Sequence, residues 1–441
     1  MTGFPEKADL IIRGGHVLTM DATFSDHPDG AIAVTDGRIV AVGPSVEAAG
    51  ASAATEIDAQ GTIVMPGLIN THCHAAMTLF RGLADDRDLD GFLQRVWAAE
   101  AAFITPETVE LGATIGAAEM ALGGITHFTD MYWHPDATIA AARRIGLSLT
   151  TGPVFIGFDG IDGLPWPKRL KAADDFLARH RDAPDLQLMA MPHSCYTLDA
   201  GKLAEVVALA DRHGCPIHIH GAESPSEMAL VASQHDGARP IGVFDRAGLL
   251  EHAPLIAHGV HLDDAEIARI AATGAAISHN PLSNAKLASG TARVADMIRA
   301  GIPLSLGTDG ASSGNDLDLW KAMRLAGFLQ ALATGNPAAL PARRLVEMAT
   351  CGGARALRLG SETGSLETGK RADIAVISLD APHMVPVFDP YSALAYSAGR
   401  NDVRDVIARG RPVVRNHRLC TDIAAEIAET RRFAEKIKEK A

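Results

Sequence analysis

The histidines carry the first chemical signal: there are eighteen in 441 residues, and several close short apolar runs. His72-Cys73-His74 ends one such run. Residues two apart on a strand point the same way, so both imidazoles can aim at one point. Neutral imidazole is a good ligand for Zn²⁺ or Fe²⁺. His220 ends another run and offers a third nitrogen, and Glu223 follows three residues on, past the strand. His218 shares the face of His220 one layer deeper and reads as a hydrogen-bonded core histidine. Further runs end in Pro192-His193-Ser194, Ala257-His258-Gly259, Ser278-His279-Asn280 and Gly307-Thr308-Asp309-Gly310. Any one of these is as easily structural, because buried polar side chains often only satisfy hydrogen bonds. Burying so many titratable groups at equivalent places costs free energy unless they are paired or metal-bound.

These residues need a scaffold that gathers strand ends. Apolar runs at 62–69, 126–129, 147–155, 186–191, 216–219, 255–257, 275–277 and 303–306 alternate with helical stretches. Eight βα units predict an α/β fold, a closed (β/α)8 TIM-type barrel whose working residues sit at the C-terminal strand ends. An open doubly wound sheet is the rival, but no GxGxxG follows the first strand. Both chain ends are strand-rich, with a hairpin signal at Asp36-Gly37, and are expected to pack together as a small β-sandwich. The predicted division is 1–65 with 372–420 for that domain, 66–371 for the barrel, and 421–441 for a solvated terminal helix.

The segment Met65-Pro66-Gly67-Leu68-Ile69-Asn70-Thr71-His72-Cys73-His74, with His220-x-x-Glu223, Ser278-His279-Asn280-Pro281 and Gly307-Thr308-Asp309-Gly310, resembles the amidohydrolase superfamily. Within it the chain is similar to the 5-methylthioadenosine/S-adenosylhomocysteine deaminases, with guanine- and triazine-processing relatives. The resemblance implies one divalent metal held by His72, His74, His220 and Asp309, zinc first, with iron or manganese next. It implies Glu223, His258 and Asp309 as catalytic and His193 as a substrate contact. Two-metal relatives need a bridging ligand, often a carboxylated lysine, and no lysine falls at any of these strand ends. The implied reaction is hydrolytic deamination of an aminated purine-like ring: methylthioadenosine or adenosine, guanine, pterin or triazine. Glu223 favours it, since protonating a ring nitrogen is what that step demands. A chlorohydrolase or cyclic-amide hydrolase is the alternative. A catalytically inactive scaffold is more remote, because no ligand is missing.

Trp97 and Glu100, on a helix after the first strand, are the further substrate-side candidates. Adenosine-type relatives place a ribose-contacting acid near Glu100; a solvated helix acid is the plain alternative. Residues 157–166, rich in glycine and aromatics, read as a lid or as packing. Relatives that bind S-adenosylhomocysteine carry an arginine at the end of strand three. This chain has Leu149-Thr150-Thr151-Gly152-Pro153 there, with hydrogen-bond donors but no charge, and Arg169 only further along.

Composition excludes other classes. Forty basic against 53 acidic residues give a net charge of −13, which argues against nucleic acid or an anionic membrane as partner. No apolar run reaches the roughly 18 residues of a membrane span. The five cysteines form no CxxC pair, and the N-terminus carries no secretory signal. The expectation is a cytoplasmic homo-oligomer acting on a small heterocycle.

Overall fold

This computed structural model describes residues 3–440. Eight parallel runs form its centre: β1 (Leu68–His74), β2 (Ile125–Asp130), β3 (Ser148–Thr151, continued by Val154–Phe155), β4 (Leu186–Leu188, continued by Met191–Pro192), β5 (His218–Gly221), β6 (Leu255–His258), β7 (Ala276–His279) and β8 (Leu304–Leu306, continued by Asp309–Gly310). One arc pairs β1 through β4 in order, and a second pairs β5 through β8. The arcs meet at an Ala190–Ile217 bridge and where Asp309 pairs with Cys73, so the pairing returns to β1. The ladder is broken inside β3, where Pro153 has no N–H to give. Gly152 packs there so closely that a Cβ would lie 1.7 Å from the Met189 carbonyl oxygen.

The apolar run at 62–69 is two strands. Thr62–Pro66 pairs antiparallel with Ile374–Ser378, and β1 starts only at Leu68. Gly67 makes the break, because a Cβ there would meet the Thr126 side chain at 2.3 Å. The strands of both chain ends share one nine-stranded sheet. Its Arg38 edge bridges back to Arg371. The predicted sandwich is thus one continuous sheet curled over a core that includes Leu10, Ile12, Ile32, Val64, Val376 and Ile407.

The C-terminal helix, Ala424–Lys440, corrects the expectation of a solvated element; residue 441 lies outside the described residues. Phe433 and Ile437, one turn apart, are 5% and 7% exposed. The Phe433 ring packs against Phe80 and Phe103 at 6.2 and 5.7 Å, which docks the helix on the segment after β1 and the helix Leu89–Phe103. Among the described residues, no helix is long and apolar enough to cross a membrane.

Candidate active site

The C-terminal ends of β1, β5, β6 and β8 deliver His72, His74, His220, His258 and Asp309 to one place. Asp309 Oδ1 lies 3.4 Å from His72 Nε2 and 3.2 Å from His74 Nε2. His220 Nε2 lies 3.4 Å from His74 Nε2. The other ring nitrogens fix the tautomers. His74 Nδ1 donates to the Met131 carbonyl at 2.6 Å, and His220 Nδ1 to that of His193 at 2.8 Å. His218 Nδ1 donates to Leu255 O at 2.8 Å, so its Nε2 accepts from His72 Nδ1, also at 2.8 Å. With Nδ1 of each committed to its own partner, all three histidines turn Nε2 toward the same point. Burial, acting first, holds the imidazoles of His72 and His220 well below their ordinary pKa. His72 Nε2 is buried without a hydrogen-bond partner. Two overlapping groups, His72–His74–Asp309 and His72–His220–His258, each bring their ligand atoms within 4.8 Å of one another and make a donor set for a divalent cation, with the outer nitrogens held as metal-binding histidines require.

Glu223 and Asp309 lie with His258 so that one potential ligand atom of each is within 4.8 Å of the others. Burial raises the Glu223 carboxyl well above its usual range, and the charges of Asp309 and Glu227 add to this. Burial would raise Asp309 too, but the close approach of the His72 and His74 imidazoles outweighs it and holds the group well below the usual range. Ser313 Oγ donates to its Oδ2 at 2.9 Å. The Asn284 amide donates to His258 Nδ1 at 2.9 Å, which leaves the proton on Nε2, 3.7 Å from Glu223. Burial lowers the His258 pKa to about 4, so the ring is neutral at neutral pH. Ala222, His258 and Asp309 all adopt left-handed backbone, with φ of 54°, 77° and 58°. Such strain costs about 1–3 kcal/mol per residue and concentrates at functional sites.

Above these groups opens a pocket. Trp97, Glu100, His193, Glu223 and His258 line it together with Met77, Phe92, Val154, Ile156 and Leu287. His193 Nδ1 is engaged by the hydroxyls of Ser194 and Thr197 at 3.1 and 3.3 Å. Its ring meets the Trp97 ring edge-on at 6.3 Å. Glu100 is no solvated helix acid: it is buried, its carboxyl is raised to about 7 by burial, and Tyr132 donates a 2.5 Å hydrogen bond to it.

The end of β3 corrects one reading. Thr150 and Thr151 are spent inside the barrel: Thr150 on His127 and Gln187, Thr151 on the Asp130 carbonyl. The stretch of β3 and its continuation that reaches the pocket is apolar, Val154 and Ile156. Arg169 does not reach the pocket. It is buried, makes two hydrogen bonds to Asp162 at 2.9 and 2.8 Å, and sits 5.6 Å over the Trp133 ring. His279 is buried at the end of β7. The sequence reading missed Asp130, whose Oδ1 accepts from Ala75 N at 2.7 Å just past His74, and Tyr132, Glu227 and Asn284. Asp130 ends β2, and a search for strand-end acids extended to that strand would have found it. The other three lie off the strands and come into play only through tertiary proximity.

The fold and this donor set define a class, and the chain belongs to the amidohydrolase family, which it matches over residues 63–413. It is 41% identical over 436 residues to the 5′-deoxyadenosine deaminase of Methanosarcina mazei, covering 98% of both chains. It is 39% identical over 429 residues to the 5-methylthioadenosine/S-adenosylhomocysteine deaminase of Syntrophobacter fumaroxidans, covering 97% of this chain and 98% of that one. Among solved structures, an adenosine deaminase from Xanthomonas campestris with bound zinc superposes with a TM-score of 0.96 at 36% identity, covering 99% of this chain and 100% of the other. These relatives bear out the resemblance read from the motifs.

Proposed function

We propose that the protein is a hydrolytic deaminase of aminated purine nucleosides with a small, uncharged 5′ side, and that it works with one divalent ion, zinc first. The observation that carries this reading is two carboxyl groups within 4.8 Å of each other in opposed surroundings: Asp309 against the imidazoles of His72 and His74, which hold it down, and Glu223 buried beside other carboxyls, which pushes it up. His72, His74, His220 and Asp309 would hold the ion. When bound, it lowers the pKa of a water from 15.7 to about 7 and so supplies a nucleophile near neutral pH. Glu223 gives its proton to the ring nitrogen beside the amino-bearing carbon, which makes that carbon electrophilic. Asp309 accepts a proton from the attacking water, and His258 Nε2–H donates a hydrogen bond to the water oxygen. The proton on Asp309 then passes to the departing amine, and the hydroxyl proton left on the ring carbon returns to Glu223 as the carbonyl forms. One water is consumed, one ammonia leaves, and the ring carbon keeps the oxygen.

Relatives named for 5′-deoxyadenosine and for 5-methylthioadenosine/S-adenosylhomocysteine support the nucleoside class, as does the Glu100–Tyr132 pair, a polar spot for ribose hydroxyls. Val154 and Ile156 favour an apolar 5′ group, and Arg169 is already neutralised by Asp162. A charged amino-acid tail would go unpaired there, which is unfavourable. A cytoplasmic setting is supported by the five cysteines, all free. The test is a side-by-side comparison at fixed metal loading. 5′-Deoxyadenosine and methylthioadenosine should exceed S-adenosylhomocysteine in kcat/KM by roughly tenfold or more, about 1.4 kcal/mol. A clear win for S-adenosylhomocysteine would overturn the neutral-tail assignment.

A further inference from the structure

Glu223 stands on a turn that cannot hold itself. The turn leaves β5 through Ala222, whose φ of 54° is unfavourable for a residue with a Cβ. The N–H groups of Ala222 and Glu223 point away from any strand partner. Both are taken by one side chain: Glu227 Oε1 accepts from Ala222 N at 3.2 Å, and Oε2 accepts from Glu223 N. Glu227 is buried in the first turn of the helix Pro225–Gln234. The same helix is capped separately, by Ser224 Oγ accepting from Glu227 N at 3.1 Å. From the other side, the Ala222 carbonyl accepts from Val260 N and His261 N at 2.8 and 2.9 Å. That stitches the turn to the segment following His258.

We propose that Glu227 is a positioning residue for deamination: its two carboxylate oxygens clamp consecutive N–H groups and so fix where Glu223 delivers its proton. The inference rests on the reading of Glu223 as the proton carrier. A carboxylate is needed because it alone among side chains of this shape offers two acceptor oxygens. The amide of glutamine offers one, and its NH₂ faces an N–H and repels it. The turn then relaxes while the helix keeps its Ser224 cap. A proton donor misplaced by a fraction of an ångström loses rate in the chemical step rather than in substrate binding.

The test compares Glu227→Gln, Ser224→Ala, Glu223→Gln and the Glu223→Gln/Glu227→Gln double variant in metal-loaded protein. Each is measured for metal content, melting temperature, kcat and KM with 5′-deoxyadenosine. Glu227→Gln is expected to hold one metal, keep KM within about threefold and lose roughly 10- to 100-fold in kcat. Ser224→Ala removes the cap of the same helix, lowers the melting temperature comparably and leaves kcat unchanged. The double variant should be no slower than Glu223→Gln alone, since a clamp has nothing to position once the acid is gone. If Glu227→Gln keeps its kcat, or if its loss is matched by Ser224→Ala, Glu227 is only a stabilising helix residue and the proposal fails. If Glu223→Gln itself turns over normally, the proton-carrier reading fails instead, and the two failures are told apart. Should Glu227→Gln not fold, Glu227→Asp, whose shorter arm cannot span both N–H groups, carries the same comparison.

Discussion

At the residue scale the site is a set of choices forced on identical functional groups by their surroundings. His218 and His220 sit two apart on β5, yet only His220 offers a nitrogen to the donor set. His218 lies a layer deeper, spends Nδ1 on Leu255 O and gives Nε2 to His72. It therefore sets the tautomer and angle of His72 without touching a metal. Removing such a partner typically weakens metal binding 10- to 100-fold. His218→Phe, which keeps a flat ring but no acceptor, should lose zinc to a chelator about that much more readily. Unchanged affinity would mean that packing alone aligns His72. The sequence made much of this readable, because a spacing of two on a strand is a direction in space. Glu227, Asn284 and Tyr132 were not readable, since nothing in their local pattern says which backbone groups or rings the fold brings to them.

At the element scale, the segment between β3 and the helix Trp166–His180 lies against Trp97, which lines the pocket. Phe158, about half exposed, touches the Trp97 ring edge-on at 6.1 Å. Asp162 ties the segment down through Arg169, and Gly160 lies so near Trp133 that a Cβ would come within 2.4 Å of its ring. Asp162→Asn removes the charge that anchors Arg169. KM for neutral nucleosides should rise severalfold with kcat nearly constant, and the segment should become more sensitive to protease. Unchanged KM and protection would show that the segment is packing rather than a cover. The element order was legible because strands buried on both faces leave continuous apolar runs. Two details were not. The run at 62–69 hid a change of sheet at Gly67, which depends on the distant Thr126. The terminal helix looked solvated because its charges outnumber its apolar residues, although Phe433 and Ile437 align on one face.

The whole molecule carries a cost for burying histidine. His127, at the centre of β2, has only Thr150 Oγ1 on its Nε2, and its Nδ1 is unpartnered. Burial first, then Arg371 and Arg409, lower its pKa to about 3 from 6.5. A folded-state pKa below the unfolded one means that the unfolded chain binds the proton first as pH falls. Stability is therefore intact above pH 6.5 and drains away between about 6.5 and 3. At 1.36 kcal/mol per pH unit this one residue contributes up to about 5 kcal/mol of acid lability. His127→Asn should flatten the fall of unfolding free energy across that window, measured by denaturant titration at several pH values. An unaltered slope would place the lability elsewhere.

Hydrolysis of an exocyclic amine by the cluster at the ends of β1, β5, β6 and β8 is measured as ammonia released from 5′-deoxyadenosine by protein holding one equivalent of zinc. One ammonia per nucleoside consumed is predicted, with the reaction stopped by chelation and restored by zinc. If zinc-loaded, folded protein releases no ammonia from 5′-deoxyadenosine, methylthioadenosine or adenosine, the account is contradicted.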